Sequence, residues 1–282
     1  MTRKLFTFAA AGLAAALAVA GASAHAGEKG VAKVVSISGP CPSCQMSGKK
    51  LVGATFTGGN FSNASLIGAD LRGATFMATT FTSADFTRAD MRSSTIIGGS
   101  YHNAIFRDTR MEGVEAPGGH FLSANFSRAR LTSGELVGAN FTNAILVGTS
   151  FEHAELSGAN FTSANAQGAV FKDAEMVGAR LINGRFARAN FRDAEMVGVI
   201  FTSGHFDGAD FTDANLRHAR LKGVDLSGAR GLDQDQIDRA CTDKSTKLPR
   251  GLVAKGCRGG PTIRITIPRP PALPVPPVPP RN

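Results

Sequence analysis

From residue 51 to residue 226 a large apolar side chain returns at every fifth position, with no gap or insertion. Of the 36 positions in this series 17 are Phe, 11 Leu and 4 Met, joined by Ile96 and Tyr101; Ala116 and Ala166 are the exceptions. Two residues before each of them the chain is small: 22 Ala, 6 Gly, 3 Thr, 3 Val, Ser94 and, in the first unit alone, Lys49. The sequence holds 19 Phe, and apart from Phe6 and Phe8 every one falls in the series.

A period of five fits neither the 3.6-residue stripe of a helix nor the two-residue alternation of a strand. It fits a chain that turns a corner every five residues and points one large and one small side chain inward on each side. Four sides close a coil of about 20 residues, and stacked coils pair through backbone hydrogen bonds at the ~4.8 Å spacing of neighbouring strands. Nine coils then rise about 43 Å. The interior stacks Phe and Leu into an apolar column, each buried side chain contributing ~1.5–3 kcal/mol. An open end would expose apolar residues and unpaired backbone, so both ends need caps.

Units such as Ala69-Asp70-Leu71-Arg72-Gly73, Ala84-Asp85-Phe86-Thr87-Arg88 and Ala159-Asn160-Phe161-Thr162-Ser163 resemble those of the pentapeptide-repeat family. The resemblance covers residues 46–230. It implies an all-β solenoid, a right-handed quadrilateral β-helix of about nine coils, with the handedness supplied by the resemblance and not by the spacing. The residue before each centre, typically Asp or Asn in that family, is so here in only 12 of 36 units. Outward chemistry therefore varies while the interior does not.

The N-terminus carries Arg3 and Lys4, an uncharged apolar run from Leu5 to Ala20, and small residues through Ala24 and Ala26. That is the pattern of a secretory signal peptide, residues 1–26. The apolar run is shorter than the ~20 residues of a membrane-spanning helix, so we expect a soluble, periplasmic or secreted protein with no transmembrane segment after cleavage. Residues 27–45 are read as a lead-in and cap.

After Arg230 the period stops, and Asp233 and Gln236 stand at capping-box spacing, with Leu232 placed to staple onto Ile237. Residues 231–260 are thus expected to form a short α-helical cap, similar to that of exported members of the family. Nine of the 13 Pro lie in residues 261–282. This tail, with Arg264, Arg269 and Arg281, is expected to be disordered or extended as polyproline II.

Cys41 and Cys44 occupy inward positions of the first coil. No βαβ pattern surrounds them and no second ligand pair follows, so a structural role outweighs a redox or zinc site. An oxidising compartment favours disulfides. Cys41 with Cys44 and Cys241 with Cys257 are the favoured pairs among the three pairings that four cysteines allow.

Stacking one coil on the next sorts outward side chains into columns. One face carries Glu115, Glu135, Glu155, Glu175 and Glu195 in a ladder. Beside it runs a column with Met77, Ile97, Pro117, Val137, Val177 and Val197, then a nearly unbroken column of Gly. An apolar strip edged with carboxylates reads as a contact surface. The next face is Ser, Thr and Asn, and the other two mix Arg with Asp.

Function follows by elimination. The mature chain has His102, His120, His153, His205 and His218, scattered over different columns. No phosphate loop, metal-ligand cluster or nucleophile elbow is found. No catalytic residue, cofactor or metal is therefore expected. DNA mimicry, which the family resemblance raises, needs a strongly negative rod. Residues 46–230 hold 18 basic and 17 acidic side chains, whereas residues 231–282 hold 9 against 4. No nucleic-acid partner is expected. The favoured reading is a non-enzymatic scaffold or interaction module that binds another protein. A binder of an anionic cell-envelope component through the basic end is the alternative, and homodimers through an end or the apolar face stay open.

Overall fold

The computed structural model describes residues 36–257. The signal-peptide and Pro-rich-tail expectations fall outside the described residues. Four three-residue strands, β1 (Ser36–Ser38), β2 (Thr55–Thr57), β3 (Thr75–Met77) and β4 (Thr95–Ile97), form a parallel sheet in sequence order. Ile37 aligns with Phe56, Phe56 with Phe76, and Phe76 with Ile96. On the remaining sides, and throughout the later coils, the same parallel pairing runs as single bridges between positions one coil apart, from Gln45↔Ser65 to Asp210↔Arg230. The result is a four-sided β-helix.

Its corners follow from the small inward residue. At most corners, though not at Gly184 or Gly204, that residue's N–H returns to the carbonyl of the preceding large one, as Ala64 to Phe61 at 3.0 Å. The second of the two residues between them takes a left-handed conformation, φ 59° at Asn63 and 63° at Gly68. A type II turn has this form and favours Gly or Asn at that place. One side departs. After Phe56, Phe76 and Ile96 no such turn bond is found among the described residues, and the chain stays extended as β2, β3 and β4. From Ala116 the bond appears, Gly119 N–H to Ala116 at 3.0 Å. Pro117-Gly118 supplies the residue pair that a type II turn favours, where the earlier coils have Thr57, Met77 and Ile97.

Every large inward residue from 51 to 226 is buried, Leu51 being the most exposed at 7%. Rings stack from coil to coil at about the coil spacing, with centroids 4.6 Å apart for Phe106 and Phe126 and 5.0 Å for Phe171 and Phe191. Rings on adjacent sides meet edge to face, as Phe121 and Phe126 do at 5.3 Å. Both arrangements suit the aromatic quadrupole.

The C-terminal end is closed by α1 (Gln234–Arg239). Asp233 caps it and exchanges both capping-box bonds with Gln236. Ile237 lies against the last coil at 1% exposure. Pairing continues past the helix at Arg220↔Cys241 and Asp225↔Lys247, where the chain takes slightly more than one coil's length to return. In the structure Cys41 is bonded to Cys44, their Cα atoms 5.5 Å apart. Cys241 is bonded to Cys257, with 4.3 Å between Cα atoms. Among the described residues no helix is long and apolar enough to cross a membrane.

Candidate interaction surface

Backbone bridges hold the glutamate column in register: Glu115↔Glu135↔Glu155↔Glu175↔Glu195, ending at Asn215. Glu115, Glu135, Glu155 and Glu175 are exposed and Glu195 is half-buried. Neutral donors reach three of them. Thr95 donates to Glu115 at 3.2 Å, Ser157 to Glu175 at 2.9 Å, and the Asn215 amide to both Glu195 oxygens at 2.8 and 3.0 Å. None of the five takes part in an ion pair among the described residues. Like charges directly opposite one another in a ladder are destabilising, and no cation among the described residues pairs with them. Val137, Val177 and Val197 run beside the column half-buried, as do Met77 and Ile97 in the earlier coils. The flanking Gly118, Gly138, Gly158, Gly178 and Gly198 add no side chain, so this face is smooth.

The side before it is built differently. Asp70 pairs with Arg72 at 2.7 Å and Asp90 with Arg92 at 2.7 Å, Arg110 lies 3.7 Å from Asp90, and Arg130 is 3.0 Å from Glu112. The guanidinium hydrogen bonds hold Asp70 and Asp90 below the usual carboxylate range. An open depression of about 540 Å³ there is lined by Arg72, Gly73, Arg92, Ser93 and Glu112. Its two arginines are already committed to aspartates.

On the Ser/Thr/Asn side the polar groups satisfy one another. Thr142 donates to Asn140 through its backbone at 3.0 Å and its hydroxyl at 2.6 Å, Thr162 repeats this with Asn160, and the Asn160 amide reaches Thr142 at 3.1 Å.

One grouping was not singled out in the sequence. Scattered histidines implied no metal-ligand cluster, yet Glu152, His153 and Asp173 bring one ligand atom each within 4.8 Å of one another. The cause is the stacking of coils, which sets Asp173 over His153, so tabulating each His against the positions one coil away would have found it. Lys172 already occupies the cluster, 2.7 Å from Asp173 and 4.0 Å from Glu152. The group reads as a solvated ion-pair network, and such exposed pairs are weak.

Stacked quadrilateral coils with this inward pattern define a class, the solenoids built from five-residue units. The pentapeptide-repeats profile matches residues 60–96 and, in overlapping copies, residues 104–230, and the chain belongs to the pentapeptide-repeat family. Among solved structures the chain is similar to HetL, a pentapeptide repeat protein involved in heterocyst differentiation regulation from the cyanobacterium Nostoc sp. strain PCC 7120. The two are 22% identical over 66% of this chain and 83% of HetL, with a TM-score of 0.39. It is also similar to QnrB1, a plasmid-mediated fluoroquinolone resistance protein, at 19% identity over 75% of this chain and 92% of that one, with a TM-score of 0.45. A pentapeptide repeat protein from the thylakoid lumen of Arabidopsis thaliana is 28% identical over 40% of this chain and 68% of its own, with a TM-score of 0.18. No curated protein sequence matches the chain.

Proposed function

We propose that this protein is an exported, non-enzymatic interaction module, a rigid rod that presents flat faces to another protein in the periplasm or outside the cell. The observation that carries the reading is the interior. Inward positions are filled by Phe, Leu and Ala from coil to coil, and function is left to the outer faces. The signal-peptide pattern at residues 1–26 and the cysteine pairs support export, since disulfides persist in oxidising compartments.

The test has two parts. N-terminal sequencing of the protein from the exported fraction should begin after Ala24 or Ala26; a cytoplasmic, unprocessed chain would refute the export half. Cross-linked capture from that fraction, with and without residues 261–282, should retain a defined protein. Turnover of a small substrate that disappears when one polar residue is changed would refute the non-enzymatic half. The basic C-terminal end favours a second reading, binding of an anionic envelope polymer, whose signature is retention that falls steeply with salt.

A further inference from the structure

We infer that the face bearing Glu115, Glu135, Glu155, Glu175 and Glu195 docks a cationic segment of a partner polypeptide and not a second copy of this chain. The inference rests on the reading of the protein as an interaction module and names the partner's chemistry. Five of the eight Glu in the sequence stand in this single column, bridged in register from coil to coil. On the preceding side Asp70, Asp90 and Glu112 each have an arginine within ion-pair distance. The glutamate column has none among the described residues, in a chain whose formal net charge is +9. A partner's cations would supply the counter-charge that the described residues do not.

The neighbouring column decides between kinds of cation. A metal ion gains nothing from Val137, Val177 and Val197, which stand half-buried next to the carboxylates. Lys and Arg carry an apolar stem and a charged head. Laid across this face, the stems cover the valines and the heads reach the glutamates. The glycines alongside allow a partner backbone to approach closely. Four coil steps separate Glu115 from Glu195, about 19 Å at the spacing of neighbouring strands, which about six residues of extended chain would span.

Self-association through the same face is opposed by symmetry. A two-fold contact sets one patch against its own copy, and here that brings carboxylates against carboxylates.

The test uses mature protein, residues 27–282, and a labelled peptide of four Arg-Val repeats, with a Ser-Val and a Glu-Val peptide as controls. Fluorescence anisotropy should show binding of the Arg-Val peptide alone, weakening between 20 and 150 mM salt. The triple variant Glu135→Gln, Glu155→Gln, Glu175→Gln keeps the side-chain volume and the acceptor used by Ser157, and should weaken binding at least tenfold with unchanged circular dichroism. The control Asp193→Asn, Asp207→Asn, Asp213→Asn removes three charges elsewhere and should change affinity less than twofold. Equal losses in both variants, undiminished binding in the glutamate variant, or a dimer in sedimentation that dissociates in that variant would each overturn the inference. A captured protein that the triple variant still retains would overturn this face as its site and leave the interaction module standing. Removal of residues 258–282, which carry Arg258, Arg264, Arg269 and Arg281, should leave peptide affinity unchanged. A tenfold gain would mean that the chain's own tail holds the face, overturning the assignment to a partner.

Discussion

The side-chain amide of Gln236 donates to the carbonyl oxygen of Phe211 at 2.8 Å. Its other proton reaches the Ala214 carbonyl at 2.9 Å, and its oxygen accepts the Asp233 N–H at 2.8 Å. One short helix thus satisfies the Ala214 carbonyl, which a further coil would have covered, and adds a second bond to the Phe211 carbonyl beside the turn bond from the Ala214 N–H at 3.1 Å. The Thr246 hydroxyl donates to the Leu221 carbonyl at 2.7 Å, beside the turn bond from the Val224 N–H at 3.4 Å. With Gln236 9% exposed, Gln236→Ala leaves the Ala214 carbonyl without its donor and removes the capping-box bond from the Asp233 N–H. We expect it to destabilise the cap by about 2–4 kcal/mol. Hydrogen exchange should quicken between residues 211 and 240 and stay unchanged in the coils before residue 150, because a solenoid couples each repeat only to its neighbours. Uniform deprotection along the rod would refute this local role.

Inward small positions make an opposite pair of predictions. The Ser94 hydroxyl is buried and has no hydrogen-bond partner, in a series where 22 of 36 residues are Ala. Ser94→Ala removes the unsatisfied group and should stabilise by about 1 kcal/mol, raising Tm by roughly 2–4 °C. Thr109 occupies the equivalent position, but its hydroxyl donates to the Phe86 carbonyl at 2.9 Å. Thr109→Ala should lower Tm. Changes of the same sign in both variants would show that the hydrogen bond is not what separates them.

The rod was legible because inward packing leaves few choices. Phe171 cannot leave the stack between Phe151 and Phe191, at 5.1 and 5.0 Å, without opening a void, so the period survives in the sequence. The change of corner at Pro117 was not legible, since extended and turned corners place Phe76 and Leu136 inward alike. Gln236 was expected as a capping-box residue, and that bond is present, but its reach to Phe211 and Ala214 depends on how α1 sits on the last coil. Outward positions bear no such constraint. The Glu column could be tabulated from the coil period, as could the Glu152, His153 and Asp173 grouping, whereas the column's lack of described cations needed coordinates.

Acid should act first on the cap. Four donors converge on one Asp243 oxygen, the Gly223, Ser245 and Thr246 N–H groups and the Ser245 hydroxyl, at 2.8 to 3.2 Å, and the Thr246 hydroxyl, whose proton goes to Leu221, lies 2.9 Å from it. They lower its pKa to about 2, the Ser245 hydroxyl contributing most. Asp225, bonded to Ser227 and Lys247, is likewise lowered to about 2. A carboxyl depressed in the folded state adds stability that is fully present above its unfolded value of about 3.9 and is lost as pH falls through the folded value. Cap protection should therefore decline between about pH 4 and pH 2 while the Phe-lined coils persist. Asp243→Asn keeps an acceptor oxygen and removes the charge, so it should flatten that decline and lower cap stability at pH 7. An unchanged acid transition in Asp243→Asn would remove Asp243 from the account.

Reduction should separate the two disulfides. Cys241 and Cys257 enclose a segment with a sequence separation of 16, against 3 for Cys41 and Cys44. In the chain-entropy account a loop of about 15 residues contributes ~3 kcal/mol, and the contribution grows with loop length. Without the bond, residues 242–247 stay tied to the last coil through Thr246 and Lys247, while residues 248–257 keep the Gln234 side chain's hydrogen bonds to Val253, at 3.0 and 3.1 Å, the Gly256 N–H to Thr242 at 3.0 Å and the Lys255 pair with Asp238. The bonds of residues 248–257 involve exposed or half-buried groups and hold less firmly. Cys257→Ser should therefore speed exchange in residues 234–257 and leave residues 51–190 protected, whereas Cys41→Ala with Cys44→Ala should disturb only the first coil. The coils themselves are closed by hydrogen bonds and stacked rings and depend on neither bond. Cooperative melting of the whole rod on reducing Cys241–Cys257 would show that the cap governs global stability and would refute this division.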